Sequence, residues 1–203
     1  DAFLEIFGLA QPGLFMEFML SRGDSVANVA QRVAWIWQEV KAPVIAAVHG
    51  MAFGGGLQIA LGADLRYVTP DAELSVMEIK WGLIPDMSIT QTLLRLVPLD
   101  VAKELTFTGR KVSGTEAVEL GLATKVSDDP LAEALETAKL IATKSPHAIR
   151  AGKTLLNDAP TMSRLDALKL ETALQVGLLG TPNQMEAVQA NMMKRPPSFK
   201  DPD

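Results

Sequence analysis

The sequence has no cysteine among its 203 residues. That absence excludes disulfides, thiolate metal sites and cysteine nucleophiles together. It also fits a reducing compartment, and the cytoplasm is the expected location. No apolar run reaches the ~18 residues that a membrane-spanning helix needs, so no membrane partner is expected. Cations are in the minority: 19 Lys and Arg stand against 24 Asp and Glu, for a net charge of -5. A nucleic-acid partner, which needs concentrated Lys and Arg to meet phosphate, is therefore not expected either. There is no internal repeat and no low-complexity segment. No start methionine is present, and Asp1 to Phe7 read as the interior of something longer. They lack the basic stretch and apolar run of a signal peptide.

What is present is enough for one ordinary domain with a real core: 48% of residues are hydrophobic and 21% charged. Residues 1–23 read as a helix and a mobile loop, broken at Pro12 and Gly13. Asp24 or Ser25 is placed to cap a helix running to about Glu39, with Val26, Val29, Val33, Ile36 and Trp37 on one face. Val44 to Val48 is a β-branched run and reads as a buried strand. A Gly-rich turn follows, His49-Gly50-Met51-Ala52-Phe53-Gly54-Gly55-Gly56, then a short apolar helix from Leu57 to Ala63. Leu65 to Thr69 and Leu74 to Val76 read as strands with a turn at Pro70-Asp71.

After Pro85 the pattern is helical: Ile89 to Leu96, Asp100 to Phe107, Thr115 to Leu120, Leu131 to Thr143, Pro146 to Asn157, Ser163 to Leu178 and Pro182 to Met193. One short strand, Ala123 to Val126, interrupts it. Ser113 with Glu116, and Thr181 with Gln184, have capping-box spacing. The expected architecture is an α/β core over residues 1–128 and a helical region over residues 129–203.

Two places invite chemistry. Three glycines between a strand and a helix let the backbone approach a ligand closely. The unpaired N–H groups of a helix start suit an anion, or a carbonyl oxygen becoming one. A Walker loop is excluded because Leu57-Gln58 follow the glycines, a dinucleotide fingerprint fits poorly, and the chain has no Gly-x-Ser-x-Gly. The competing reading is a helix packed tightly on a strand, with glycines for clearance only. The second place is a pair of acids. Glu78 follows the strand, and Asp86 lies eight positions on, after Gly82-Leu83-Ile84-Pro85. Two carboxylates there suit proton removal and delivery. A wall of Met77, Trp81, Leu83 and Ile84 would raise a carboxyl toward neutrality. Solvated loop acids are the alternative. His49, at the end of a buried strand, reads as a satisfied structural histidine, and His147 as exposed. The late methionines read as packing or subunit contacts.

Taken together, Ala42-Pro43-Val44-Ile45-Ala46-Ala47-Val48-His49-Gly50-Met51-Ala52-Phe53-Gly54-Gly55-Gly56, the following Ala63-Asp64-Leu65-Arg66-Tyr67, and Met77 through Pro85 resemble the signatures of the crotonase (enoyl-CoA hydratase/isomerase) superfamily. Glu104 to Gly109, Ala117 to Ala123 and the tail Lys194 to Lys200 are similar as well, so the resemblance covers about Val40 to Asp203. It implies a spiral of ββα repeats with a C-terminal helical trimerisation region, assembled as a homotrimer or hexamer. It implies an acyl-CoA thioester as substrate and no separate cofactor or metal. The Gly55 N–H becomes one of two oxyanion donors. The other normally comes from an earlier loop, so an N-terminal portion of the core is expected to be missing.

The resemblance also sets this chain apart. Where the family's hydratases carry their first glutamate stands Gln58, which has no useful proton affinity. It is left to hold a water or orient the thioester. Glu78 matches the second glutamate, and Asp86 matches an acid of the family's dienoyl-CoA isomerases, although those isomerases tend to keep an acid where Gln58 stands, so the match to either subfamily is partial. Isomerisation of an unsaturated acyl-CoA is the favoured expectation, with Glu78, Asp86, Gly55 and Gln58 as the catalytic set. Met51, Phe53, Gly54 and Trp81 are expected at the acyl group, or as ordinary packing, and Lys194 near the CoA phosphates. Hydration through Glu78 with Gln58 orienting water, and a non-catalytic acyl-CoA binder, are the alternatives.

Overall fold

The computed structural model describes residues 12–202; the reading of residues 1–11 as part of a helix falls outside them. Helix α1 (Pro12–Leu20) starts on proline, whose missing N–H is no loss in a first turn. Helix α2 (Val29–Glu39) is capped by Asn28, not by Asp24 or Ser25. The Asn28 side chain accepts from the Gln31 N–H at 2.8 Å while Gln31 Oε1 accepts from the Asn28 N–H at 3.0 Å. This reciprocal box satisfies two donors at once, which neither earlier residue achieves. The apolar stripe of α2 has the expected period but faces outward, Val33 being 47% exposed. The residue α2 buries is Ala34.

Strand β1 (Ile45–Val48) turns at once into β2 (Met51–Phe53), yet the two belong to different sheets. Gly50, at φ 66°, makes the corner; a Cβ would strain this left-handed conformation. Helix α3 (Gly55–Leu61) follows. The pattern repeats with β3 (Leu65–Val68) and β4 (Glu73–Ser75). The two corners are stitched together by the Thr69 N–H to Val48 O (3.1 Å) and the Glu73 N–H to Gly50 O (2.7 Å). A 3-10 turn (Glu78–Trp81), helix α4 (Ile89–Thr92) running into a second 3-10 turn (Leu93–Arg95), and helix α5 (Leu99–Thr108) complete this repeat. Strand β5 (Val112–Ser113), helix α6 (Gly114–Leu120) and strand β6 (Lys125–Val126) close it. One sheet, in order β1-β3-β6, is wholly parallel; the other, β2-β4-β5, pairs β2 and β4 parallel and β4 and β5 antiparallel. Between them lies the core, with Leu57, Leu61, Val68, Leu74, Leu105 and Leu122 almost wholly buried.

Four helices follow: α7 (Pro130–Ala142), α8 (Pro146–Asp158), α9 (Arg164–Leu178) and α10 (Pro182–Met192). Helix α7 lies against β1 and β3, and the Tyr67 hydroxyl meets Thr137 Oγ1 at 2.9 Å. Helix α8 is tied to the core by Lys153, whose side chain is 6% exposed. Its ammonium stands 2.8 Å from Asp64 Oδ2 and donates to Trp37 O at 2.9 Å and Ala42 O at 3.0 Å. Of the two expected capping boxes, Ser113 accepts from the Glu116 N–H, but Glu116 turns its carboxylate to Arg110. Thr181 makes no side-chain cap; Gln184 Oε1 instead accepts from the Gly180 N–H. The tail folds back onto α10, where buried Asn183 exchanges hydrogen bonds with the Lys200 backbone. Glu186 holds Arg195 with both oxygens and also accepts from the Ser198 N–H.

Candidate active site

The site is built by one hydrogen bond past the end of a strand. Phe53 pairs with Ser75 in the β2–β4 register, and the next residue, Gly54, donates its N–H to Ser75 O at 2.9 Å. This brings the glycine turn beside the segment that leaves β4, where Glu78 opens its 3-10 turn. Gly54 sits at φ 52°, ψ -120°, a conformation essentially reserved for glycine. A Cβ there would lie 3.2 Å from Glu78 Oε1. Gly54 thus combines an unusual backbone with close approach of the Glu78 side chain.

One turn into α3, Gln58 is 1% exposed. Its Nε2 donates to Glu78 Oε1 at 2.6 Å, and its Oε1 accepts from the Met87 N–H at 2.7 Å. The other carboxylate oxygen, Glu78 Oε2, is buried and has no hydrogen-bond partner among the described residues. Asp86 immediately precedes Met87, so one buried amide joins the Glu78 carboxylate to the backbone of the loop that carries Asp86. Asp86 is exposed at its edge, but partial loss of water raises its carboxyl above the usual range, offset in part by a hydrogen bond from its own backbone.

The loop carrying Asp86 is held at several points. Gly82, at φ 70°, closes the 3-10 turn. Ser88 occupies the left-handed region at φ 65° and donates its hydroxyl to Gln31 O at 2.9 Å. The Met87 thioether lies over Gly55, within 3.0 Å of where a Cβ would stand. Behind the 3-10 turn, Gly109 leaves room for Ile79, and its carbonyl accepts from the buried Ser75 hydroxyl at 2.8 Å.

Gly55 is the first residue of α3, and its N–H has no partner within the helix. Phe53 is half-buried, with the Lys111 ammonium 5.2 Å from its ring centre. Met51 and Trp81 are 71% and 53% exposed, and Lys80 lies 5.5 Å over the Trp81 ring. The expected apolar wall is an open rim, since Leu83 and Ile84 are exposed as well. Lys194 is exposed at the end of α10, at φ 52°; no hydrogen bond or ion pair among the described residues joins it to the glycine turn. His49 is exposed rather than satisfied in the interior, because it stands on the corner where the chain leaves β1. His147 is half-buried rather than exposed, its Nδ1 2.9 Å from Asn183 Nδ2. The residues that sequence reasoning missed are Met87, which acts through its backbone N–H, and Ser88, which pins the loop. Neither carries a side-chain signature for these tasks.

Two cavities among the described residues lie elsewhere. One of about 490 Å³ reaches Asp64, Arg66 and Lys153, and one of about 630 Å³ runs between α7, α8 and the tail; neither is lined by Gly55, Glu78 or Asp86. A smaller apolar groove of about 210 Å³ has Pro85, the residue before Asp86, on its wall with Leu93, Ala102 and Phe107. Among the described residues no group of acids and histidines is placed to hold a metal ion, and no helix is long and apolar enough to cross a membrane.

A family model described as "Enoyl-CoA hydratase/isomerase" matches residues 17–202. Mouse (Mus musculus) mitochondrial methylglutaconyl-CoA hydratase is 34% identical over 164 residues, 78% of this chain and 52% of that protein. The peroxisomal Delta(3,5)-Delta(2,4)-dienoyl-CoA isomerase of Arabidopsis thaliana is 36% identical over 165 residues, 80% of this chain and 59% of that protein. The crystal structure of enoyl-CoA hydratase from Bacillus anthracis superposes with a TM-score of 0.81 at 33% identity, covering 84% of this chain and 67% of that one. The chain spans about half the length of the first curated relatives it matches.

Proposed function

The chain belongs to the enoyl-CoA hydratase/isomerase family, and from that premise we propose that it shifts a double bond within an unsaturated acyl-CoA by way of a thioester enolate. The observation that carries this reading is Gln58: Glu78 faces a buried amide at 2.6 Å, where activation of water by two acids would need a second carboxyl. An amide takes up no proton. The acids that remain are Glu78, with one oxygen unpartnered among the described residues, and Asp86, whose carboxyl partial burial holds above the usual range.

In the proposed cycle Glu78 Oε2 removes a proton from the carbon next to the thioester carbonyl. The negative charge moves to the thioester oxygen, held by the Gly55 N–H and one further amide. Losing one such donor costs about 3 kcal/mol of transition-state stabilisation. As the carbonyl re-forms, the double bond migrates and Asp86 gives its proton to the far carbon. Glu78 then returns its proton to solvent and Asp86 regains one, so no net proton is consumed. The apolar groove walled in part by Pro85, next to Asp86 in the chain, suits the hydrocarbon end of such a substrate.

The test is incubation of the full-length protein with 2-enoyl-, 3-enoyl- and 3,5-dienoyl-CoA in D2O, followed by mass spectrometry. Deuterated positional isomers are expected, reduced about 100-fold or more in both Glu78→Gln and Asp86→Asn. A 3-hydroxyacyl-CoA product that survives Asp86→Asn would make the activity hydration instead. Binding without turnover would leave an acyl-CoA binder. Assembly belongs to the same proposal: α9 and α10 expose Leu165, Leu168, Val176, Val188 and Met192, apolar area of the kind that self-association covers. A trimer or a pair of trimers is expected by light scattering, and a monomer would end that part.

A further inference from the structure

We propose that Gln58 is a positioning residue which directs the proton of Glu78 to Oε2 and sets the Asp86 loop in register with it. The proposal rests on the isomerase reading above for its consequence, but on geometry for its substance. A backbone N–H can only donate. The Gln58 atom 2.7 Å from Met87 N is therefore its carbonyl oxygen, which leaves its NH2 group facing Glu78 Oε1 at 2.6 Å. The amide cannot be reversed without setting donor against donor at Met87. Glu78 Oε1 is thus held as an acceptor. A carbonyl oxygen accepts better than a hydroxyl oxygen, so a proton on this carboxyl resides on Oε2, the oxygen that is buried and unpartnered among the described residues. Because the other end of the same amide grips Met87, any movement of α3 shifts both acids together. Of the other charged residues on the surrounding elements, Lys80 and Asp86 on the loop, Arg32 and Glu39 on α2, and Asp100, Lys103 and Glu104 on α5 are exposed, while half-buried Glu73 on β4 is paired with Lys111 at 2.8 Å.

Two variants of the full-length protein test this. Gln58→Met keeps the volume and removes both hydrogen bonds. Its kcat is expected to fall about 100-fold, since small misplacements of reacting groups cost that much, while KM changes less than about threefold because no substrate contact is removed. Gln58→Glu keeps the acceptor for Met87 but can donate to Glu78 only while the two acids share a proton. Its activity is expected within about tenfold of the parent at low pH and to fall as pH rises with a further alkaline transition, added to the one that loss of the Asp86 proton gives the parent. An unchanged kcat in Gln58→Met, or a parent-like pH profile in Gln58→Glu, would overturn the proposal. A readout independent of activity separates its failure from that of the isomerase reading. The Met87 amide is expected to exchange its hydrogen at least about tenfold faster in Gln58→Met, but not in Gln58→Glu, than in the parent. Equal exchange in the parent and Gln58→Met would overturn the positioning role even if the parent converts no thioester.

Discussion

Gly54 carries two constraints at one atom. Its backbone lies where a side chain is strained, and its missing Cβ is the space Glu78 Oε1 leans into. Gly54→Ala is expected to cost about 1–3 kcal/mol through backbone strain, read as a lowered Tm. It should also reduce kcat more than the stability loss explains, because the Glu78 carboxylate must retreat. Unchanged activity in a folded Gly54→Ala protein would separate the turn from the chemistry. At this scale the sequence shows which residues are unusual but not which of them meet. The glycines, Glu78 and Asp86 stand out by type and setting. That Gln58 touches Glu78 is hidden, because 20 positions separate them and only the resemblance placed both in one site. The Met87 N–H leaves no trace at all, since every residue but proline has one.

Helix α2 and helix α3 approach at Gly62 and Ala34, where a Cβ on Gly62 would strike the Ala34 carbonyl oxygen. That atom is backbone and cannot swing aside. Gly62→Ala is therefore expected to push the helices apart at a cost of about 1–3 kcal/mol, measured as a shifted denaturant midpoint. A neutral result would mean that α2 yields freely. Elements were legible where a periodic pattern coincided with burial on a strand. Val44 to Val48 is readable because it is a continuous apolar run, and Leu65 to Thr69 because β-branched and aromatic residues dominate it. Met51–Phe53 was not, because three residues inside a Gly-rich stretch look like a turn. The α2 stripe gave the helix but not its facing: period fixes which residues share a side, and only tertiary contact decides which side is buried. Asn28 does not stand out as the cap, because Asp24 and Ser25, equally good by residue type, come first.

For the whole molecule, side-chain chemistry rather than pattern makes the decisive contacts. The tail clasp is one. Arg195 and the Ser198 N–H lower the Glu186 carboxyl from 4.5 to about 2. A depressed carboxylate lends stability above its ordinary value and loses it as pH falls toward the folded one. The tail is thus expected to loosen as pH drops from 4.5 to 2, seen as faster amide exchange at Ser198. Glu186→Gln should remove that pH dependence, and an unaltered profile in the variant would assign the loosening to another group. The Lys153 ammonium has a further consequence, in the time course of folding. Its bonds to Ala42 and Trp37 bridge separations of 111 and 116 residues, so they close after local structure has formed. Contacts made late are lost first. Breaking a buried pair costs about 3–5 kcal/mol, and in Lys153→Met nearly all of it is expected as a rise of roughly 100-fold or more in the unfolding rate, with refolding almost unchanged. Stopped-flow measurement of both arms would reveal it, and a slowed refolding arm would mean that this long-range junction forms before the barrier is crossed.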